Sequence, residues 1–166
     1  GIEDVPEMTG KSLAAILFSE QEGNVDDDRE YVLTGRERHT HARPDNLGYP
    51  ARAIRPADYL YVRNFKPELW PAGNPPPPGS SEKDLEKGYV SLWPGYFDID
   101  ASPSKSFMID NMDKWPQLFE VAYNKRSGEQ LYDIHNDPGC LKNIANDPSY
   151  QKIKDELILL LEDELK

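Results

Sequence analysis

Most of the side chains that could do chemistry lie in one short segment, TGRERHTHARPDNLGYPARAIR, at residues 34–55. This segment holds five of the eight arginines and two of the three histidines of the chain. Guanidinium and imidazole N–H groups suit the oxygens of sulfate, phosphate or carboxylate. We therefore predict that the segment recognises an anionic group. The candidate binding residues are Arg36, Arg38, His39, His41 and Arg43.

Two other interpretations of this segment stay open. Each arginine could instead form a solvated salt bridge with a nearby acid such as Glu30, Glu37 or Asp45. His39 and His41 are two residues apart, so in an extended segment they project to one side, where a metal ion could bridge them. Because the surrounding arginines raise the electrostatic cost of bringing in a cation, anion recognition is favoured over a metal site.

The other arginines near this segment are interpreted as structural. Arg52, Arg55 and Arg63 alternate with their neighbours along runs that are predicted to be strands. Charges at such positions are commonly found at sheet edges, where they oppose pairing with other chains. We therefore separate residues 36–43, as the functional candidate, from Arg52 and Arg55.

The chain carries no recognised catalytic motif. It lacks a G-x-S-x-G elbow, a glycine-rich phosphate loop, an H-E-x-x-H pattern and a C-x-x-C pair. The single cysteine, Cys140, follows a Pro-Gly turn and is interpreted as incidental rather than nucleophilic. We predict no catalytic residue and no metal ligand in this chain.

Composition restricts the classes of partner. The 166 residues carry 19 Lys and Arg against 30 Asp and Glu, a formal net charge of −11. This length favours one domain with one core, and this charge opposes binding to nucleic acid or to an anionic membrane. No apolar run approaches the roughly 20 residues needed to cross a bilayer. The chain begins at Gly1 without a signal peptide, which suggests a processed product or a fragment.

Periodicity and capping residues predict the elements that position the candidate segment. Helices are predicted within 7–23, within 98–115 after Ser102 and Pro103, and at the C-terminus after Asp147 and Pro148. Strands are predicted at 31–34, 49–55 and 58–65 and as a hairpin within 117–134, with a long surface loop at 65–88. This order predicts an α+β fold, in which a small antiparallel sheet of about four strands is covered by the C-terminal helix.

Four blocks of the sequence resemble, in order, the C-terminal part of the sulfatase family, and they span nearly the whole chain. The blocks are EDVPEMTGKSLAAIL, YVLTGRERHTHARPDNLGYPARAIRPADYLYVRNFKPELWPAG, DIDASPSKSF and GEQLYDIHNDPGCLKNIANDP. The Gly-Tyr-Pro-x-Arg run at 48–52 and the Ser-Pro-Ser at 102–104 are more similar to the heparan N-sulfatase (sulfamidase) branch and its bacterial relatives.

The resemblance implies an enzyme of which this chain is one part. Sulfatases hydrolyse sulfate esters or sulfamates with a formylglycine made from the Cys or Ser of a C-x-P-x-R type motif, beside a calcium ion. Cys140 is followed by Leu-Lys-Asn-Ile and does not fit that motif. The resemblance therefore implies that residues 1–166 form the C-terminal domain, inactive alone, and that an N-terminal α/β domain carries the formylglycine and the calcium.

The resemblance also assigns a role to the candidate segment. In sulfatases, loops of the smaller domain reach over the active-site pocket and help to select the substrate. Residues 36–43, called the rim segment below, are thus expected to meet a sulfated carbohydrate such as a glycosaminoglycan. By the same resemblance, the whole protein is expected in the periplasm, at the cell surface or in the lysosome.

Two further functions remain open. The chain could be a non-catalytic module that binds anionic, sulfated glycans. It could also belong to a related phosphodiesterase or phosphonate hydrolase, because C-terminal blocks report ancestry better than they report the leaving group.

Overall fold

The computed structural model describes residues 10–37, 40–76 and 95–166, in which four strands form one antiparallel sheet in the order β1-β2-β3-β4. The strands are β1 (Tyr31–Arg36), β2 (Ala51–Pro56), β3 (Tyr59–Asn64) and β4 (Glu129–Asp133). The helices are α1 (Ala14–Leu17), α2 (Pro103–Asp110), α3 (Pro116–Tyr123) and α4 (Gln151–Glu164). The predicted α+β class, with its small sheet, packed C-terminal helix and additional short helices, is confirmed.

The main core lies between the sheet and α4. Ile54 of β2 pairs with Tyr61 of β3, and Tyr61 pairs with Leu131 of β4, so the three side chains share one face of the sheet. All three are fully buried, and they pack with Leu157 and Leu161 of α4. The helix contributes these leucines from positions four residues apart, which lie on one helical face.

Residues before α4 determine where this helix begins. The side chain of Asp147 accepts a hydrogen bond from the backbone N–H of Ser149 at 2.9 Å. Pro148 starts a short 3-10 turn, Pro148–Tyr150, which leads directly into α4. The predicted start of the terminal helix is confirmed, because an Asp cap followed by a proline satisfies the first turn.

A second apolar cluster joins the loop after β3 to α2 and α3. Its buried members are Ala72, Tyr96, Ile109 and Tyr123. The ring of Tyr96 lies 4.8 Å from that of Tyr123 and 6.1 Å from that of Trp70, measured between centroids. These contacts hold the loops that surround the rim segment.

The prediction of a hairpin within 117–134 is wrong in its first half. Residues Pro116–Tyr123 form the helix α3, and only Glu129–Asp133 form a strand. Pro116 suits the first helical turn. Phe119 and Tyr123, four residues apart, stack on each other, and both rings lie against Tyr96. Packing against the second apolar cluster therefore determines the structure of residues 116–123, whose sequence is compatible with either a helix or a strand.

Two predicted helices differ in extent or in the face that is buried. Of residues 7–23, only Ala14–Leu17 are helical, and none of them is buried. Because no packing stabilises this turn, the helix does not continue over the rest of the predicted range. In α2 the predicted cap is confirmed, since the Ser102 hydroxyl accepts from the N–H of Lys105 at 3.1 Å. The sequence places the apolar side chains Phe107, Met108 and Met112 on one face of this helix. The buried side chains are instead Lys105, Ser106 and Ile109, while Met108 is partly buried and Phe107 and Met112 are exposed.

The predicted surface loop is described only in part. Residues 65–76 contain no helix or strand, while 77–88 lie outside the described residues, as do residues 7–9 at the start of the first predicted helix. No helix in the described ranges is long and apolar enough to cross a membrane.

Candidate functional site

The rim segment begins where β1 ends and belongs to a loop that returns to the sheet at β2. Arg36 is the last residue of β1, whereas Arg38 and His39 lie outside the described residues, so their roles stay predictions. The loop is closed at its base by a hydrogen bond from the Tyr49 N–H to the Glu37 carbonyl. A side chain at Gly48 would approach that carbonyl oxygen to 2.9 Å, so glycine is needed for this closure.

Arg43 is enclosed by the protein. Its side chain is 0% exposed, its Nε donates to the carbonyl of Trp70, and its Nη2 donates to that of Pro71, both at 2.8 Å. The same Nη2 lies 2.8 Å from Oδ2 of Asp98, and the guanidinium lies 5.6 Å from the ring centroid of Tyr49. Nη1 is buried and has no hydrogen-bond partner among the described residues.

These contacts give Arg43 a structural role. It joins the rim segment to the loop at Trp70 and Pro71 and to the turn at Asp98. Two of its three nitrogens are occupied by the chain itself. The prediction that Arg43 binds an anionic substrate therefore stays a prediction.

Arg36 shares the carboxylate of Asp98 but has a different environment. Its Nη2 lies 3.0 Å from Oδ2 of Asp98, and 46% of its side chain is exposed. The Asp98 side chain is 0% exposed. A guanidinium held by one nitrogen and half exposed can present its remaining N–H donors to an anion.

His41 is the exposed histidine of the described rim segment. It lines a pocket of about 310 Å³ together with Ala42, Asn74 and Phe97, among others. Phe97 directly precedes Asp98, which contacts both Arg36 and Arg43. The His41 imidazole and these two arginines therefore border the same region. The structure thus brings Arg36, His41 and Arg43 together, with Arg36 and His41 facing outward.

Sequence reasoning missed two charged residues that position the site. Asp98 stands between the apolar residues Phe97 and Ile99, and a charge flanked on both sides by apolar residues is the signal that could have indicated burial. Lys105 on α2 is also buried, and its Nζ donates to the carbonyls of Tyr96 and Ile99 at 3.0 and 3.1 Å. Burial lowers the pKa of this amine. Lys105 therefore fastens both sides of the turn that carries Asp98.

Nothing in the described residues fits the calcium ion that the resemblance implies. No group of three or more His, Cys, Asp or Glu side chains that could hold a metal occurs in that part of the chain. Cys140 is half-buried in the turn after β4, and its N–H donates to the Asp137 carbonyl at 2.9 Å. Burial raises the pKa of its thiol, which opposes formation of the reactive thiolate.

Comparison with known proteins gives two curated relatives. The chain is 34% identical over 85 residues to a Delta 4,5-hexuronate-2-O-sulfatase of Bacteroides thetaiotaomicron, a match that covers 51% of this chain. It is 27% identical over 110 residues, 66% of its length, to an ulvan-active sulfatase of Formosa agariphila. The matched region spans 16% of the length of each relative. No family model matches the chain.

A solved structure shares the fold. The crystal structure of a Bacteroides thetaiotaomicron protein, assigned as a sulfatase, aligns with 98% of this chain and 21% of its own length. The alignment has a TM-score of 0.50 at 22% sequence identity. At this identity the match concerns the fold alone.

Proposed function

Because this chain is related in sequence to the sulfatases, we propose that it is the C-terminal domain of an enzyme that hydrolyses sulfate ester or sulfamate groups on carbohydrate. The observation that carries this proposal is the 34% identity over 85 residues to a hexuronate sulfatase. The match spans only 16% of that relative. We therefore assign the formylglycine and the calcium to an N-terminal domain outside this chain, which is the partner of residues 1–166.

The proposed role of this domain is to select the substrate. His41 is exposed beside a pocket, and Arg36 is half exposed at the end of β1, so both can donate to sulfate or carboxylate oxygens. Arg38 and His39 belong to the same proposed surface by sequence. Arg43 supports the loop through its contacts with Trp70, Pro71 and Asp98. Export to the periplasm, the cell surface or the lysosome is part of the same proposal.

The test uses the full-length protein with its formylglycine formed, a panel of sulfated disaccharides and a small aryl sulfate. We expect turnover by the full-length protein and none by residues 1–166 alone. The substitution His41→Ala will raise KM by about tenfold for the preferred disaccharide, which is the size expected for one lost hydrogen bond to a charged group. The KM for the aryl sulfate will rise less, because this substrate is too small to reach from the catalytic pocket to the rim segment.

His135→Ala is the matched control. This histidine is exposed in the turn after β4 and does not line the pocket beside His41. If both substitutions change KM equally, the rim segment does not select the substrate. If the full-length protein hydrolyses no sulfate ester or sulfamate, the proposed activity is wrong.

A further inference from the structure

One carboxylate oxygen joins two arginines in this structure. Oδ2 of Asp98 lies 2.8 Å from Nη2 of Arg43 and 3.0 Å from Nη2 of Arg36. The Asp98 side chain is completely enclosed. A buried carboxylate needs such partners, because an uncompensated charge is costly away from water.

The two arginines are not equivalent. Arg43 is enclosed and is tied to the Trp70 and Pro71 carbonyls as well as to Asp98. Arg36 is half exposed. Of these two guanidinium groups, Arg36 is therefore the one that faces solvent, and both contact the same carboxylate oxygen of Asp98.

The turn that carries Asp98 is held on both sides. The Asp98 N–H donates to the Ala72 carbonyl at 3.0 Å, and the Tyr96 N–H donates to the Asn74 carbonyl at 2.8 Å. Lys105 donates from α2 to the carbonyls of Tyr96 and Ile99. With its backbone fixed in this way, the carboxylate is a rigid acceptor against which a flexible arginine can be oriented.

We propose that Asp98 is a positioning residue that orients the guanidinium of Arg36 toward an anionic group of the substrate, with Arg43 holding Asp98 in place. This inference rests on the proposed function, because it assigns Arg36 to the substrate. It goes beyond that function by identifying a residue that acts through Arg36 without meeting the substrate itself. Asp98 and Arg36 should therefore behave as one unit.

The test is a double-mutant cycle in the full-length enzyme with the preferred sulfated disaccharide. Asp98→Asn keeps the shape of the side chain and removes its charge, while Arg36→Met removes the guanidinium. Each single change is expected to raise KM about tenfold, with kcat changed less than twofold. The double variant is expected to raise KM no further than Arg36→Met alone, because Asp98 acts on the substrate only through Arg36. The loss of stability from unpairing Arg43 is expected in both Asp98→Asn proteins and is measured separately.

Glu162→Gln provides the matched control for removal of a paired carboxylate. Glu162 on α4 lies 2.6 Å from Nη1 of Arg63, outside the rim segment, so we expect no change in KM. Asp98→Glu is the second variant, used in the same cycle if Asp98→Asn does not fold. It keeps the charge but displaces the carboxylate by one methylene, and the same loss is expected.

Additive effects of the Asp98 and Arg36 substitutions would overturn the inference, since Asp98 would then act independently of Arg36. A KM that rises for Arg36→Met but not for the Asp98 variants would also overturn it, while leaving the proposed function intact. Unchanged KM values for both Arg36→Met and His41→Ala would overturn the proposed function of the rim segment and the inference with it.

Discussion

Replacing Arg43 with methionine will destabilise the chain much more than the same replacement at Arg63. Both arginines pair with a carboxylate, at 2.8 Å to Asp98 and at 2.6 Å to Glu162. They differ in burial, because the side chain of Arg43 is 0% exposed and that of Arg63 is 38% exposed. Methionine fills much of the volume of the arginine stem, so the comparison isolates the charged group.

The expected magnitudes follow from this difference in burial. Removing one partner of a buried ion pair costs about 3–5 kcal/mol when the other charge is left uncompensated, and the lower end of this range applies here because Arg36 still contacts Asp98. Arg43→Met also leaves the carbonyls of Trp70 and Pro71 without their donor. An exposed ion pair contributes only about 0–1 kcal/mol. The two variants should thus differ by about 3 kcal/mol, which is more than a hundredfold in the unfolding equilibrium.

Urea denaturation of the 166-residue chain, followed by tryptophan fluorescence and far-ultraviolet circular dichroism, measures both free energies of unfolding. The fluorescence signal sums three tryptophans, among them Trp70 beside Arg43, and the circular dichroism signal reports on the helices and the sheet. Equal losses of stability in the two variants would refute the structural role of Arg43.

Three other expectations concern the core, a strained turn and pH. Leu161→Ala removes a side chain that is 2% exposed and will lower the free energy of unfolding by about 2–5 kcal/mol. Leu159→Ala, on the same helix at 69% exposure, will lower it by well under half as much, and urea denaturation measures both. Gly73→Ala will lower Tm, since Gly73 has φ of +89° and its added Cβ would lie 3.0 Å from the Ala42 carbonyl oxygen; an unchanged Tm would contradict the local geometry. Burial and the hydrogen bond to Glu129 raise the pKa of Tyr61, so its contribution to stability is complete below the ordinary tyrosine pKa of about 10 and is lost as the pH rises further. Tyr61→Phe will flatten this alkaline loss of stability, and an identical slope in both proteins would exclude Tyr61 as its source.

The sheet and the terminal helix could be predicted because their signals are local. Pro56, Ala57 and Asp58 separate two β-prone runs too closely for anything but an antiparallel turn, and Asp147 with Pro148 specifies a helix start. The run QLFEVAY at 117–123 has a weaker local signal, because Pro116 precedes it without a capping side chain. Its β-branched and aromatic residues suit a strand equally well, and packing of Phe119 and Tyr123 against Tyr96 determines the helix.

In the candidate site, too, local features could be predicted from the sequence, whereas features that depend on tertiary contacts could not. Arginine and histidine density identified the segment, but it did not separate Arg36 from Arg43. Their environments depend on Asp98, which is 55 residues beyond Arg43 in the chain. Sequence spacing carries no information on a contact that the folded loops create, so the half-exposed and the enclosed arginine looked alike.

The hydrogen bond from the Tyr96 N–H to the Asn74 carbonyl bears on how far the length of residues 75–95 can vary without disturbing the fold. It brings together the two ends of residues 75–95, next to the pocket that His41 lines. The entropic cost of closing a segment grows slowly with its length, by only about 0.6 kcal/mol for each doubling. Insertions and deletions between Asn74 and Tyr96 are therefore expected to cost the rest of the fold little.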